Sequence, residues 1–209
     1  MKELYFVRHG QTAWNAIRRM QGQWNSDLNE LGREQADRNG RFLASLDIEH
    51  IVASPLDRTR QTAEIINQHL NLDITYDERI MEWHCGDWSG EMWDEVADKW
   101  PEEFAAWQAD QFNYRGPNCE NYPDMIDRAR PFLEELLSLE SSRIAIVSHG
   151  MIGRVMVGTL LEMSPDEMVS FSQPNDVVFH LTMTENNYAT QHYIGGDGPH
   201  PGLPPRRWS

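Results

Sequence analysis

Two histidines and two arginines stand directly behind short apolar runs in this sequence. Leu4-Tyr5-Phe6-Val7 runs into Arg8-His9-Gly10, Ile144-Ala145-Ile146-Val147 into Ser148-His149-Gly150, and Ile51-Val52-Ala53 into Ser54-Pro55-Leu56-Asp57-Arg58. Guanidinium groups are planar, permanently charged and donate paired hydrogen bonds, which matches the oxygens of a phosphoryl group. An imidazole, with an ordinary pKa of about 6.5, is plentiful in its neutral form near pH 7 and offers a nucleophilic lone pair. Gly10 permits a close backbone approach, and Gln11, Thr12 and Asn15 add polar groups around the same histidine. These residue types at three matching positions read as a site for a phosphate group.

The elements that must bring them together follow from the apolar pattern. A run of four apolar residues closed by a charge, a histidine and a glycine reads as a buried strand that stops abruptly. In an open α/β sheet, ligands bind beyond the carboxyl ends of the strands, and that is where Arg8, His9, Arg58 and His149 fall. Residues 11–23 form a polar loop or short helix carrying adjacent Arg18 and Arg19. Helices are expected over 29–45, with Asn29 as N-cap, and over 56–70; strands over 47–53 and 72–76. A long helix at 122–139, a strand at 143–148 and a helix at 151–162 continue the alternation. Segments 177–183 and 188–194, turned at Asn186-Asn187, close the chain as a hairpin. The fold class is therefore α/β: a three-layer sandwich with a mainly parallel central sheet and helices on both faces.

Residues 77–120 interrupt that rhythm with two short helices, 91–99 and 101–110, and the aromatics Trp88, Trp93, Trp100, Phe104, Trp107, Phe112 and Tyr114. They read as a helical cap insertion within a single domain spanning 1–194. Most of the tryptophans are expected to form the cap's own core. The last stretch, 195–209, is rich in glycine and proline and is expected to be an irregular C-terminal arm, with Arg206-Arg207 in solvent.

At 209 residues and a formal net charge of −15, the chain lacks the basic face that nucleic acid or an anionic membrane requires, so neither is an expected partner. A small phosphorylated substrate is compatible with that charge, because a pocket field can oppose the net one. Cys85 and Cys119 make neither a disulfide framework nor a metal-type pair, and the apolar run at residue 4 has no basic leader before it. A cytoplasmic location with reduced thiols is the expectation. The oligomeric state stays open between monomer and homodimer. No metal site is expected: His84 and Cys85 have no accompanying cluster, and His50, His69, His180, His192 and His200 are scattered.

The ordered set Arg8-His9-Gly10, Gln21-Gly22, the run from Ser54 through Arg58 to Ala63, Glu82 four residues before Gly86, and Ser148-His149-Gly150 resembles the histidine phosphatase superfamily, the phosphoglycerate mutase-like proteins. The resemblance covers roughly residues 3–183. It implies that His9 is the nucleophile and becomes phosphohistidine, that Arg8, Arg58 and His149 hold the phosphoryl oxygens, and that Glu82 donates the proton to the leaving alcohol. Asn15, Gln21 and the backbone at Gly22, with Gly150, would complete substrate binding. Arg60 falls on another face of its helix from Arg58, and Glu120 and Asn175 take supporting places. No cofactor is implied.

Two outcomes are open within the family. A cofactor-dependent phosphoglycerate mutase needs a second basic cluster to hold a doubly phosphorylated intermediate; between Glu82 and Glu120 only Lys99 and Arg115 are basic. Water is therefore the expected acceptor, giving a metal-independent phosphomonoester hydrolase acting on a small metabolite. A reading of a different class is an inactive module that binds phosphorylated ligands, although such a relative usually lacks part of the set present here.

Overall fold

The computed structural model describes residues 1–184 and 187–206. A seven-stranded mixed sheet runs through the molecule in the order β3-β2-β4-β1-β5-β6-β7. Its strands are β1 (Lys2–Arg8), β2 (His50–Ala53), β3 (Ile74–Tyr76), β4 (Arg143–Ser148), β5 (Val177–Thr184), β6 (Asn187–Ile194) and β7 (Asp197–Pro201). The first four are parallel, and β5, β6 and β7 add on antiparallel beside β1. Helices α1 (Ala13–Ala16), α2 (Glu30–Ala44), α3 (Asp57–Leu70), α4 (Trp93–Lys99), α5 (Pro101–Ala109), α6 (Tyr122–Ser138), α7 (Gly150–Leu160) and α8 (Pro165–Ser170) connect them. No helix among the described residues is long and apolar enough to cross a membrane.

Strands buried on both faces need apolar residues at successive positions, and alternate side chains then feed two cores. Tyr5, Val7, Ile51, Ala53, Ala145 and Val147 pack with Leu43 of α2 and Ala63 and Ile66 of α3. Leu4, Phe6, Val52, Ile144 and Ile146 face the other way, against Met125, Ala129 and Leu133 of α6 and Ile152 and Val155 of α7. Helices thus cover both faces of the sheet, as the sequence alternation requires.

Register sets the site. Arg8 lies opposite Ser148, and Ala53 opposite Val147, so the three parallel strands end at one level. The chain leaving them stays tied: His9 N–H donates to the Ser148 carbonyl at 3.0 Å and Ser54 N–H to that of Val147 at 2.9 Å. The loop after His9 is pressed onto the start of α2. A β-carbon on Gly10 would stand 2.1 Å from the Gly32 carbonyl oxygen, and one on Gly32 would stand 2.0 Å from that of Gln11. Only paired glycines allow that approach.

The insertion at 77–120 is not walled off from the rest. Trp88, Val96 and Trp107 belong to the same apolar core as α6 and α7. The C-terminal stretch departs from expectation. Instead of an irregular arm throughout 195–209, residues Asp197–Pro201 form β7 on the edge of β6. Gly195 and Gly196, at φ of 58° and 92°, make the turn that a side chain would resist. Proline suits such an edge strand because it need not donate to a further neighbour. Helix α8, capped by Ser164 and Glu167 across Pro165, was hidden by its six-residue length. Of the expected turn at Asn186-Asn187, Asn186 lies outside the described residues and Asn187 opens β6; Arg207 also lies outside them.

Candidate active site

His9 is buried where β1 ends, and its ring is locked by its own next residue. Nδ1 lies 2.8 Å from the Gly10 carbonyl oxygen, which can only accept, so Nδ1 carries the proton and Nε2 keeps the lone pair. That lone pair faces Arg58, whose Nε is 3.2 Å away and also 3.1 Å from His149 Nδ1. One N–H shared between two ring nitrogens requires both to be acceptors. His149 therefore carries its proton on Nε2, 2.8 Å from the Ser54 hydroxyl oxygen. The two rings sit edge to face at 5.2 Å. Arg58 is aimed by backbone carbonyls: Nη1 donates to Trp24 at 2.8 Å and Nη2 to Gly22 at 2.6 Å.

Electrostatics favour a neutral nucleophile. Burial, then the charges of Arg58 and Arg8, hold the His9 pKa well below its ordinary value, against a smaller opposing pull from the Gly10 hydrogen bond. His149 is pushed the same way by burial and Arg58. Burial lowers Arg58 to about 10, which leaves it charged at neutral pH. Because an unfolded histidine takes up a proton near pH 6.5 while these two stay neutral when folded, the unfolded state binds more protons below that pH. Stability should therefore hold above pH 6.5 and fall as the pH is lowered through the fifth unit. Denaturation midpoints at stepped pH check this: His9→Asn should flatten the decline, and an unchanged slope would mean that His9 titrates normally in the fold.

Glu82 reaches the same space from the insertion. Its Oε1 accepts from the backbone N–H groups of Trp83 at 2.9 Å and Ile152 at 3.1 Å, and its Oε2 from that of Met151 at 3.3 Å. The carboxyl group thus rests on the first turn of α7, where it accepts from N–H groups that have no partner within the helix. Arg128 fixes the segment that carries it. Its guanidinium donates to the carbonyls of Arg79 and Met81 at 2.9 Å each and pairs with Glu120 at 2.8 Å.

Arg8, His9, Asn15, Gln21, Gly22, Arg58 and Glu82 all line one cavity of about 320 Å³. His149 and Gly150 do not; His149 stands behind Arg58, and Gly150 lies under the Arg8 guanidinium, where a β-carbon would come within 3.3 Å. Gln21 Oε1 is buried without a partner, and Arg8 is anchored by Nη1 to the Gln173 carbonyl at 2.7 Å while its Nε has none. The Asn15 side chain caps α1 through Oδ1. Asn175 donates to the His9 carbonyl at 2.8 Å, and Glu120 serves Arg128, so both support the site from outside it. Arg60 points elsewhere, over the Tyr76 ring at 4.0 Å. Buried Cys85, its thiol pushed up to about 11 by burial, is not a thiolate at neutral pH. Among the described residues no group of three or more His, Cys, Asp or Glu side chains gathers to hold a metal ion.

The rest of the wall is Arg18, Arg19, Met20, Trp83, Cys85, Trp93 and Met151, of which Met20, Trp83 and Met151 carried no functional signal in the sequence. The cap tryptophans divide accordingly: Trp88 and Trp107 are buried in the core, whereas half-buried Trp93 faces the cavity.

Residues 4–194 match the model of the histidine phosphatase superfamily, branch 1. The chain belongs to that superfamily. A protein of Erwinia tasmaniensis described as a probable phosphoglycerate mutase GpmB is 41% identical over 162 residues, covering 77% of this chain and 75% of that one. A mycobacterial glucosyl-3-phosphoglycerate phosphatase superposes with a TM-score of 0.82 at 27% identity, over 93% of this chain and 98% of its own. A putative alpha-ribazole-5'-P phosphatase from Escherichia coli shares the fold, with a TM-score of 0.84 at 21% identity over 92% and 96% of the two chains. This histidine phosphatase is thus an enzyme of the family's type.

Proposed function

We propose that this histidine phosphatase is a metal-independent phosphomonoester hydrolase that works through phosphohistidine at His9 on a small phosphorylated metabolite. The observation that carries the reading is the lock on the His9 ring, which leaves a neutral Nε2 lone pair among Arg8 and Arg58, with the Glu82 carboxyl on the same cavity. Guanidinium groups bind the phosphoryl oxygens and stabilise the charge that spreads over them in an in-line transfer. The side-chain amides of Gln21 and Asn15 orient the group, and His149 holds Arg58 in place from behind. Nε2 attacks phosphorus, the ester oxygen leaves with a proton from Glu82, and the Glu82 carboxylate then takes a proton from the water that cleaves phosphohistidine.

The mutase reading keeps one observation in its favour. Arg18 and Arg19 put further positive charge on the same cavity wall, from a segment outside the 82–120 insertion. What meets phosphohistidine next separates the two. Incubated with a phosphomonoester and a chelator, the enzyme should release inorganic phosphate in step with the free alcohol. A phosphate-shifted isomer as the main product would establish a mutase, loss of turnover with chelator would establish a metal enzyme, and binding without turnover would establish an inactive module.

A further inference from the structure

Arg8 stands beside the nucleophile and is aimed by a main-chain oxygen. Its Nη1 donates to the Gln173 carbonyl at 2.7 Å, and its Nε is buried with no acceptor. Gly150 bounds the guanidinium on another side, where a β-carbon would come within 3.3 Å of it. The direction of the remaining Arg8 donors therefore depends on where one loop carbonyl stands. That loop joins α8 to β5. A groove of about 650 Å³ runs along it, lined by Gln173, Asn175, Asp176, His192 and Leu203, so packed core does not back the loop on that side. Hydrogen bonds must place it instead.

Two side chains of the loop do so. Asn175 donates to the His9 carbonyl at 2.8 Å. Gln173, only 2% exposed, donates through Nε2 to the carbonyls of Phe6 at 2.8 Å and Val177 at 3.2 Å. Phe6 belongs to the strand that carries Arg8, and Val177 opens the strand beside it, so the carboxamide ties the loop to both. The arrangement has a cost. Gln173 Oε1 is buried without a donor, and a β-carbon on Gly153, inside α7, would come within 2.7 Å of it. A glycine within a helix and an unmatched buried acceptor both work against the fold. Leucine at 173 facing alanine at 153 would remove both. What the amide alone supplies is the pair of N–H bonds that fix the loop.

We infer that Gln173 is a positioning residue for the reaction: its carboxamide anchors the loop so that its own carbonyl takes Nη1 of Arg8 and leaves the other N–H groups to the phosphoryl oxygens. The inference rests on the hydrolase reading, in which Arg8 binds those oxygens. A misaimed guanidinium is felt most in the transition state, where charge spreads over them.

Gln173→Leu should lower kcat/KM for nitrophenyl phosphate by about 10- to 100-fold, mainly in kcat, the scale on which a small misplacement acts. Inhibition by vanadate, which adopts the five-coordinate geometry of the transfer, should weaken by a similar factor, and inhibition by inorganic phosphate far less. A double-mutant cycle with Arg8→Ala separates positioning from plain structure. Once the guanidinium is gone, Gln173→Leu should cost less than about twofold more, whereas a merely structural role costs the same on either background. Should the leucine variant not fold, Gly153→Ala, which crowds the amide without removing it, goes through the same cycle and should lose about 3- to 10-fold. A folded variant that keeps wild-type kcat/KM, or one whose loss repeats in full on the Arg8→Ala background, overturns the assignment. Failure of the hydrolase reading looks different: the wild type turns over no ester, and the same cycle read on vanadate affinity then decides for or against Gln173.

Discussion

His9→Ala should lower kcat/KM for an aryl phosphate by roughly four to six powers of ten, the scale on which removal of a covalent nucleophile acts. The size of the effect follows from the absence of a substitute. The cavity's other candidate nucleophile, Cys85, is a buried thiol whose pKa is raised to about 11, and His149, which shares the Arg58 Nε–H with His9, lies off the cavity lining. Deletion of this buried ring removes its hydrogen bonds to the Gly10 carbonyl and from Arg58 Nε, so a denaturation midpoint measured beside the activity separates loss of the nucleophile from loss of the fold. Wild-type protein quenched in acid must be compared with protein quenched in alkali: phosphate on a histidine nitrogen survives base and is lost in acid. Radiolabel should follow that pattern and map to the peptide carrying His9. Label that resists acid, as a serine ester would, or a His9→Ala variant retaining a tenth of wild-type turnover, defeats the assignment.

That His9 was legible before any coordinates existed comes from the way parallel strands work. Buried strands leave apolar runs in the sequence, and the residues that follow them are delivered to one edge whatever lies between. Arg8, His9 and Arg58 were found by that rule, and the register Arg8 opposite Ser148 and Ala53 opposite Val147 realises it. His149 came from the same rule, and the structure sets its ring against His9 at 5.2 Å and its Nδ1 3.1 Å from Arg58 Nε. The count of basic residues ran along the insertion, 82–120, whereas Arg18 and Arg19 reach the cavity wall from the loop after α1. An arginine in an apolar helix, such as Arg154 in α7, reads locally as a snorkelling surface residue, and only tertiary packing reveals that it is enclosed. The edge strand β7 was missed because glycine and proline are poor strand formers by composition, and pairing with β6 overrides that preference.

Glu82→Gln should separate two substrates that the wild type handles alike. Glutamine has the shape of the glutamic side chain, and its carbonyl oxygen can keep the bonds from Trp83 and Ile152 N–H, so the insertion should stay seated through Arg128 and Glu120. What it cannot do is give up a proton to a leaving oxygen. An alkyl phosphate, whose alkoxide is a poor leaving group, should lose roughly 10²- to 10⁴-fold in kcat/KM, the usual worth of a positioned general acid. A nitrophenyl phosphate needs little protonation and should lose far less at the same step. The second half-reaction then sharpens the test, because in the proposed mechanism the carboxylate that gave the proton is the base for the attacking water. In the glutamine variant the phosphoenzyme should form on the aryl ester and wait, so that rapid mixing shows a burst of nitrophenol close to one equivalent, followed by slow release of phosphate. Equal losses on both esters with no burst would leave Glu82 as a capping carboxylate on α7 and send the search for the acid elsewhere. A burst with unequal losses ties one carboxyl to both proton transfers, and it explains why the fold devotes Arg128 and the first turn of α7 to holding that side chain at the cavity wall.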